Sequence, residues 1–143
     1  MKLHYRYFFA LAGFLFACGG GPAGGQSGRA PMTATTPDKS LLDGRSYEVT
    51  LEIPDASPVK DTLRFTNGKF ESTACTSLGF PQWSDYAARM NGGEVAFHVL
   101  AKHPSGTTID WNGSIHGDAV DGKADRTTNG KTDVLRFKGS LQP

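Results

Sequence analysis

The stretch Leu63-Arg64-Phe65-Thr66-Asn67-Gly68-Lys69-Phe70 predicts a β-hairpin. Its apolar residues alternate with polar ones, which places Leu63 and Phe65 on the same face of a strand. Asn67-Gly68 is the strongest short hairpin signal, because a tight type I′ turn needs a positive φ at both central residues. Phe70 then starts the returning strand, so two antiparallel strands are predicted on either side of this turn.

The same two-residue period recurs over most of the chain. It is clearest in residues 47–53 and 94–102, where one face of each segment is apolar. Apolar rows that begin at Ile109, Val120 and Leu135 predict three more strands. Residues typical of turns separate these segments, at Asn91-Gly92, Pro104-Ser105-Gly106, His116-Gly117-Asp118 and Asn129-Gly130.

The middle of the chain is less regular. The strand that returns from the first hairpin is predicted to continue through Ala74, and residues 76–83 are predicted to form a loop. Residues 84–90 fit either one helical turn or a short strand. We favour the strand, because the clear alternation of residues 94–102 follows at once.

Together these segments predict an all-β fold, an antiparallel meander of about eight strands closed into a small barrel. Closure solves the problem of exposed strand edges, and an eight-stranded barrel is either filled by side chains or has room for one small ligand. Gly113, Gly122 and Gly139 fall within predicted strands, where glycine permits sharp coiling and a close approach of backbones. A two-sheet β-sandwich made from the same strands is the alternative.

An apolar run at residues 7–17 follows the basic residues Lys2 and Arg6. The run is too short to span a bilayer as a helix, and it fits the apolar core of an export signal. Its end, Leu15-Phe16-Ala17-Cys18, resembles a bacterial lipobox, in which the signal is cut before the cysteine. An ordinary secretory signal followed by a chance cysteine is the alternative.

The lipobox resemblance implies a lipoprotein with a signal peptide at residues 1–17 and a lipidated Cys18. Several acyl chains, of the palmitate type, make a stable membrane anchor, whereas one chain binds only marginally. Residues 18–38 are rich in glycine, proline, serine and threonine and are predicted to be a flexible tether. Residues 39–143 then form the β-barrel domain. In a cell with two membranes, the resemblance implies the periplasmic face of the outer membrane.

Charge and motif spacing exclude several classes of function. Without residues 1–17 the chain has 13 basic and 14 acidic side chains, which alternate in sign along the sequence, so no nucleic-acid-binding stripe is predicted. No phosphate-binding loop follows a strand, so no cofactor is predicted. No metal site is predicted either, because metal-ligand spacing is missing among the candidate ligands His98, His103, His116, Asp118 and Asp121.

A longer pattern runs through residues 42–142 and resembles a group of small exported bacterial lipoproteins with a lipocalin-like domain. The functions of that group are mostly unassigned, so the resemblance implies a fold and a compartment rather than a chemistry. It is carried by Phe65-x-Asn67-Gly68-x-Phe70-x-Ser72-x-x-Cys75, Gly79-Phe80, Tyr86, Trp111-x-Gly113-x-Ile115-x-Gly117-Asp118-x-Val120-x-Gly122 and Phe137-x-Gly139-x-Leu141.

Four residues are candidates for a ligand or partner site. If Cys18 is acylated, Cys75 has no partner in its own chain, and it is a buried inert thiol, an intermolecular bridge or a reactive site. Strict alternation along its strand turns Cys75 away from the core. Phe80, Trp83 and Tyr86 lie in or beside the longest predicted loop, where large aromatic side chains often line a binding site.

The function predicted from these features is that of a non-enzymatic, monomeric envelope lipoprotein. Its barrel is predicted to bind a small apolar ligand or an envelope protein. A structural or assembly role in the envelope is the alternative. An enzyme that uses Cys75 as a nucleophile, with His98, His103 or His116 as its base, is a third and weaker hypothesis.

Overall fold

The computed structural model describes residues 37–143, and in them eight antiparallel strands close into one barrel. This confirms the predicted all-β meander over the sandwich alternative, and it is consistent with a lipocalin-like fold. The predicted signal peptide, Cys18 and the tether up to residue 36 lie outside the described residues. The elements are β1 Ser46–Glu52, β2 Val59–Thr66, β3 Lys69–Ser72, α1 Thr73–Ser77, β4 Ser84–Asn91, β5 Glu94–Lys102, β6 Thr108–His116, β7 Ala119–Thr128 and β8 Lys131–Leu141.

Each strand pairs with the next one along the chain, and β8 returns to pair with β1. The short strand β3 pairs with β4 only at Lys69↔Asp85 and Phe70↔Ser84. Farther along β4, the segment before β1 fills the gap, because the backbone N–H of Asp38 donates to the carbonyl of Ala88 at 2.7 Å. Within residues 37–143, no helix combines the length and apolarity needed to cross a membrane.

The tight turns follow the sequence signals, with one shift. Asn67-Gly68 has φ values of 49° and 71°, and Asn129-Gly130 has 51° and 78°, as type I′ turns require. The turn predicted at Asn91-Gly92 lies one residue later, at Gly92-Gly93. Asn91 instead pairs with Glu94 in the ladder. The physical reason is that two adjacent glycines adopt positive φ at a lower cost than asparagine followed by glycine.

Two assignments in the middle of the chain had different outcomes. Residues 84–90 are part of β4, so the strand was the correct choice. The extension of β3 through Ala74 was wrong, because α1 begins at Thr73. The Ser72 hydroxyl caps this helix by accepting from the N–H of Cys75 at 3.1 Å. A buried carboxylate, Asp61, accepts from the N–H of Ala74 at 2.8 Å and so also favours the helix.

Aromatic rings fill the interior of the barrel. Phe65 lies at the centre of this cluster, with ring centroids of four neighbours 5.1–6.2 Å away. Trp111 and Phe137 continue the packing, with centroids 5.3 Å apart. All seven rings are almost completely buried: Tyr47, Phe65, Phe70, Tyr86, Phe97, Trp111 and Phe137. The interior is therefore occupied by the protein's own side chains, which is one of the two outcomes expected for eight strands.

Both ends of the barrel are covered. At one end, α1 and the buried Phe80 follow the short strand β3. At the other end, the turn before β1 places the fully buried Leu42 against the core. The backbone N–H of Leu42 donates to the hydroxyl of Tyr86 at 3.3 Å. These covers add to the aromatic packing in separating the interior from solvent.

Glycines inside the strands allow close packing, as the sequence predicted. A Cβ at Gly139 would lie 2.7 Å from the Cα of Val49 on the neighbouring strand. A Cβ at Gly122 would lie 2.6 Å from the Phe137 ring and 2.7 Å from the Cα of Gly113. Any side chain at these positions would collide with backbone or core atoms, so the strands pack this closely because glycine is present.

Candidate functional site

The outer surface of β4 to β8 carries an elongated cavity of about 650 Å³, which we call the outer groove. Three small side chains form part of its floor, namely Ala87, Ala96 and Ser114. Long or polar side chains border them. These are Arg89, His98, Asn112, Asp121, Lys123 and Arg136. The space exists because short outward side chains stand between long ones.

Strand register explains why these residues form one surface. Ala87 lies opposite His98, and His98 lies opposite Asn112. The same row continues through Lys123 on β7 to Arg136 on β8. Five strands at about 4.8 Å spacing give the row a length of about 19 Å. The outer groove is thus long enough for an extended ligand.

Hydrogen bonds orient the polar side chains in the middle of this row. His98 Nε2 lies 2.8 Å from Asp110 Oδ1, and the amide of Asn112 donates to the same oxygen at 3.0 Å. Lys123 Nζ donates to Asp125 Oδ2 at 2.7 Å. These groups are exposed enough that the pairs add little to folding stability. Their effect is to position polar atoms beside the groove.

A second cavity of about 520 Å³ adjoins the outer groove, and we call it the aromatic groove. The two share Ala87 and His98 as lining residues. Trp83 and Leu100 line the aromatic groove and are 37% and 43% exposed, large values for such apolar side chains. Its remaining charged lining residues are Lys39, Lys69, Asp85 and Lys102. The combined surface offers an aromatic ring next to a polar trough.

The charges of the barrel are distributed unevenly around it. Three of the fifteen basic residues and none of the fourteen acidic ones precede residue 37, so the described residues carry twelve basic and fourteen acidic side chains. Six of those twelve basic residues line the two grooves, against two of the fourteen acidic ones, Asp85 and Asp121. A domain with a net negative charge therefore presents a positively charged surface at the grooves.

Of the four residues singled out in the sequence, Trp83 is the one that is exposed at a groove. Tyr86 lines the aromatic groove but is buried, and its hydroxyl donates to Asp43 at 2.9 Å. Burial, followed by this hydrogen bond, raises the pKa of Tyr86 above its usual range. Phe80 is buried with its ring centroid 5.1 Å from that of His103. The four residues do not form one site.

Cys75 lies in the core and does not face outward as strict alternation predicted. The reason is that α1 replaces the end of the strand and turns the thiol inward, leaving Cys75 7% exposed. Burial raises the pKa of the Cys75 thiol to about 11. Because the thiolate is the nucleophile, this environment disfavours the hypothesis of a reactive site.

The candidate histidines are far apart in the fold. His98 lies in the middle of β5, whereas His103 starts the turn that follows this strand. His116 ends β6, with Nδ1 3.3 Å from Glu94 and Nε2 3.8 Å from Asp121. Among residues 37–143, no three histidine, cysteine or acidic side chains come together as a metal site.

Sequence reasoning missed the outer groove. Its basic residues are separated by more than ten residues along the chain and alternate with acidic ones. A signal was present, because the outward positions of the predicted strands include Ala87 and Ala96 beside long polar residues. Using that signal requires the strand register, which the sequence did not provide.

Compared with protein-family models, curated proteins and solved structures, the chain matches none of them.

Proposed function

We propose that this chain is a non-enzymatic binding module, anchored to the bacterial envelope, whose binding site is the outer surface of its barrel. The observation that carries the proposal is the contrast between a filled interior and an elongated groove outside. A small apolar ligand inside the barrel would need space that seven aromatic rings occupy. The outer groove, by contrast, is accessible and has the volume of a ligand site.

The attachment of the barrel supports the same proposal. Pro37, the first described residue, lines the outer groove, and Asp38 forms a bridge to Ala88 on β4. In our proposal Cys18 is acylated and the residues between it and Pro37 join the barrel to the membrane. The outer groove would then lie where this segment joins the barrel, and it would be accessible to molecules near the membrane.

The anchor is tested separately from the binding site. We expect the intact mass of the exported protein to correspond to a chain that begins at Cys18 and carries fatty-acyl groups. The variant Cys18→Ser should lose this added mass and leave the membrane fraction. An exported chain with an unmodified Cys18 would overturn the anchor but would not affect the groove.

The binding site is tested by filling the groove from its floor. Ala96→Trp places a large side chain in the outer groove, and Lys60→Trp places the same side chain on β2, outside both grooves. The exported, isotope-labelled protein in mild detergent is titrated with an aqueous extract of the envelope. We expect the backbone amide signals of Asn112 and Ser114 to shift in the native protein and in Lys60→Trp, and to remain unchanged in Ala96→Trp.

An apolar fluorescent dye serves as the competing probe in the same experiment. We expect no saturable binding of the dye by the native barrel, because its interior is packed with side chains. Saturable dye binding with signal changes at Phe65 and Trp111 would place the ligand inside the barrel and overturn the proposal. An extract that shifts no groove signal would also overturn it.

A further inference from the structure

We infer that the outer groove and the aromatic groove together bind an acidic glycan, an extended chain of sugars that carry carboxylate, sulfate or phosphate groups. The inference rests on the proposed function and names the ligand class of that site. Three features of the grooves carry it: the sign of their charge, their shape, and the types of side chain that line them.

The charge indicates an anionic ligand. Asp125 partly neutralises Lys123, and Asp85 does the same for Lys69. Arg89 and Arg136 have no ion-pair partner among residues 37–143. Arginine presents a planar fork of donors that matches carboxylate, sulfate and phosphate groups. Unpaired arginines near the two ends of the row, on β4 and β8, are therefore suited to repeated anionic groups along one ligand.

The shape of the outer groove indicates that the ligand is a narrow polymer rather than a membrane surface. The small floor residues Ala87, Ala96 and Ser114 leave a trough across β4, β5 and β6, about 10 Å long, between longer side chains. Arg89 on β4 and Arg136 on β8 are separated by half of the eight strands of the closed barrel, so a flat anionic membrane contacts both of them less readily than a ligand that follows the barrel wall. A narrow polymer can lie in the trough, and its successive sugar units then reach successive strands.

The types of side chain indicate sugars. One face of a pyranose ring carries C–H groups that pack on an electron-rich aromatic face, which the exposed Trp83 supplies. The hydroxyl groups of the sugar need polar partners, and His98, Asn112 and Ser114 provide them along the groove. Single-stranded nucleic acid instead uses several aromatic side chains that stack on successive bases. Trp83 is the single exposed aromatic ring in these grooves.

The test uses acidic oligosaccharides of three kinds as probes: oligogalacturonate, heparin fragments and a phosphorylated glycan. Chains of malto-oligosaccharide of the same length are the neutral control. The chain has two tryptophans, and Trp111 is buried, so fluorescence quenching by acrylamide reports on Trp83. We expect at least one acidic probe to protect Trp83 from quenching and to bind at least tenfold more tightly than the neutral control, with weaker binding at high salt.

Variants then assign the binding to the grooves. The double variant Arg89→Ala and Arg136→Ala should weaken binding at least tenfold. Trp83→Phe lacks the fluorescent reporter, so its binding is followed by the shift of the Ser114 backbone amide signal, and it should be weakened severalfold. The double variant Arg89→Lys and Arg136→Lys should retain part of the affinity, because lysine keeps the positive charge but lacks the planar set of N–H donors of arginine. Lys60→Ala removes an exposed charge outside the grooves and is expected to leave binding unchanged.

The outcomes separate the inference from the proposed function. If the envelope extract shifts the groove signals but none of the acidic probes binds, the outer groove is still supported as the binding site and the inferred ligand class is wrong. Equal binding of the neutral control also overturns the ligand class, as does tighter binding to anionic vesicles or to single-stranded DNA. If the extract shifts no groove signal, the proposed function fails even where a purified acidic probe binds.

Discussion

The inner and outer faces of the same strands differ in what determines their side chains. On β5, Phe97 and Val99 point into the barrel and are almost completely buried, whereas His98 and Leu100 point outward and line the grooves. Inside, the size and shape of the side chains decide what fits, because the space is closed. Outside, differences in side-chain length and charge create a trough without altering the barrel. Two adjacent residues thus contribute separately to the core and to the surface of the grooves.

The largest expected effect is on the inner face. Phe65 packs against four other rings, so Phe65→Ala should lower the free energy of unfolding by about 3–5 kcal/mol. Urea denaturation followed by circular dichroism measures this loss. His98→Ala on the outer face is the control and should change stability by less than about 0.5 kcal/mol. Equal losses in the two variants would contradict the division between the faces.

A smaller loss is expected at the end of the barrel that α1 covers. Asp61 is 3% exposed and accepts from Ser72, Thr73 and Ala74, at 2.6–2.9 Å. Asp61→Ala leaves the buried Ser72 hydroxyl and the two partly buried donors without this acceptor and should cost about 2–3 kcal/mol. Asp61→Asn retains one acceptor and should cost less. Hydrogen exchange should show faster exchange of the α1 amides in Asp61→Ala, and an unchanged rate would argue against this role.

The buried thiol predicts a dependence of stability on pH. The pKa of Cys75 rises from 9.0 to about 11 in the folded state, so folding favours the protonated thiol. This stabilisation is complete below pH 9 and is lost as the pH rises towards 11. Between pH 7 and pH 10 the native protein should lose about 1 kcal/mol more than Cys75→Ala does. Urea denaturation at both pH values tests this, and parallel losses would contradict the buried position of the thiol.

The smallest effect on stability is expected at the outer groove. Arg89 is exposed and has no ion-pair partner among the described residues, so Arg89→Ala should change the free energy of unfolding by no more than about 0.5 kcal/mol. Its effect should be on ligand binding alone. Thermal denaturation measures the change in the free energy of unfolding. A decrease as large as that of Phe65→Ala would mean that Arg89 contributes to the stability of the core.

Much of the fold could be predicted because local signals agreed with each other. Asn67-Gly68 and Asn129-Gly130 set tight turns, and period-two alternation set the strands between them. The helix α1 was missed because five residues are too few for a helical period to be visible. Its stability comes from Ser72 and Asp61, and Asp61 lies eleven residues before Ser72 on another strand.

By itself, the sequence determined the fold class, the direction of most strands and which residues face the core, because these depend on neighbours along the chain. Only the tertiary structure decided the burial of Cys75 and the grouping of Arg89, Lys123 and Arg136 beside one trough. These features depend on the register of strands that are distant in sequence. A pattern of alternating charge along the chain becomes a positively charged surface once antiparallel pairing brings strands β4 to β8 side by side.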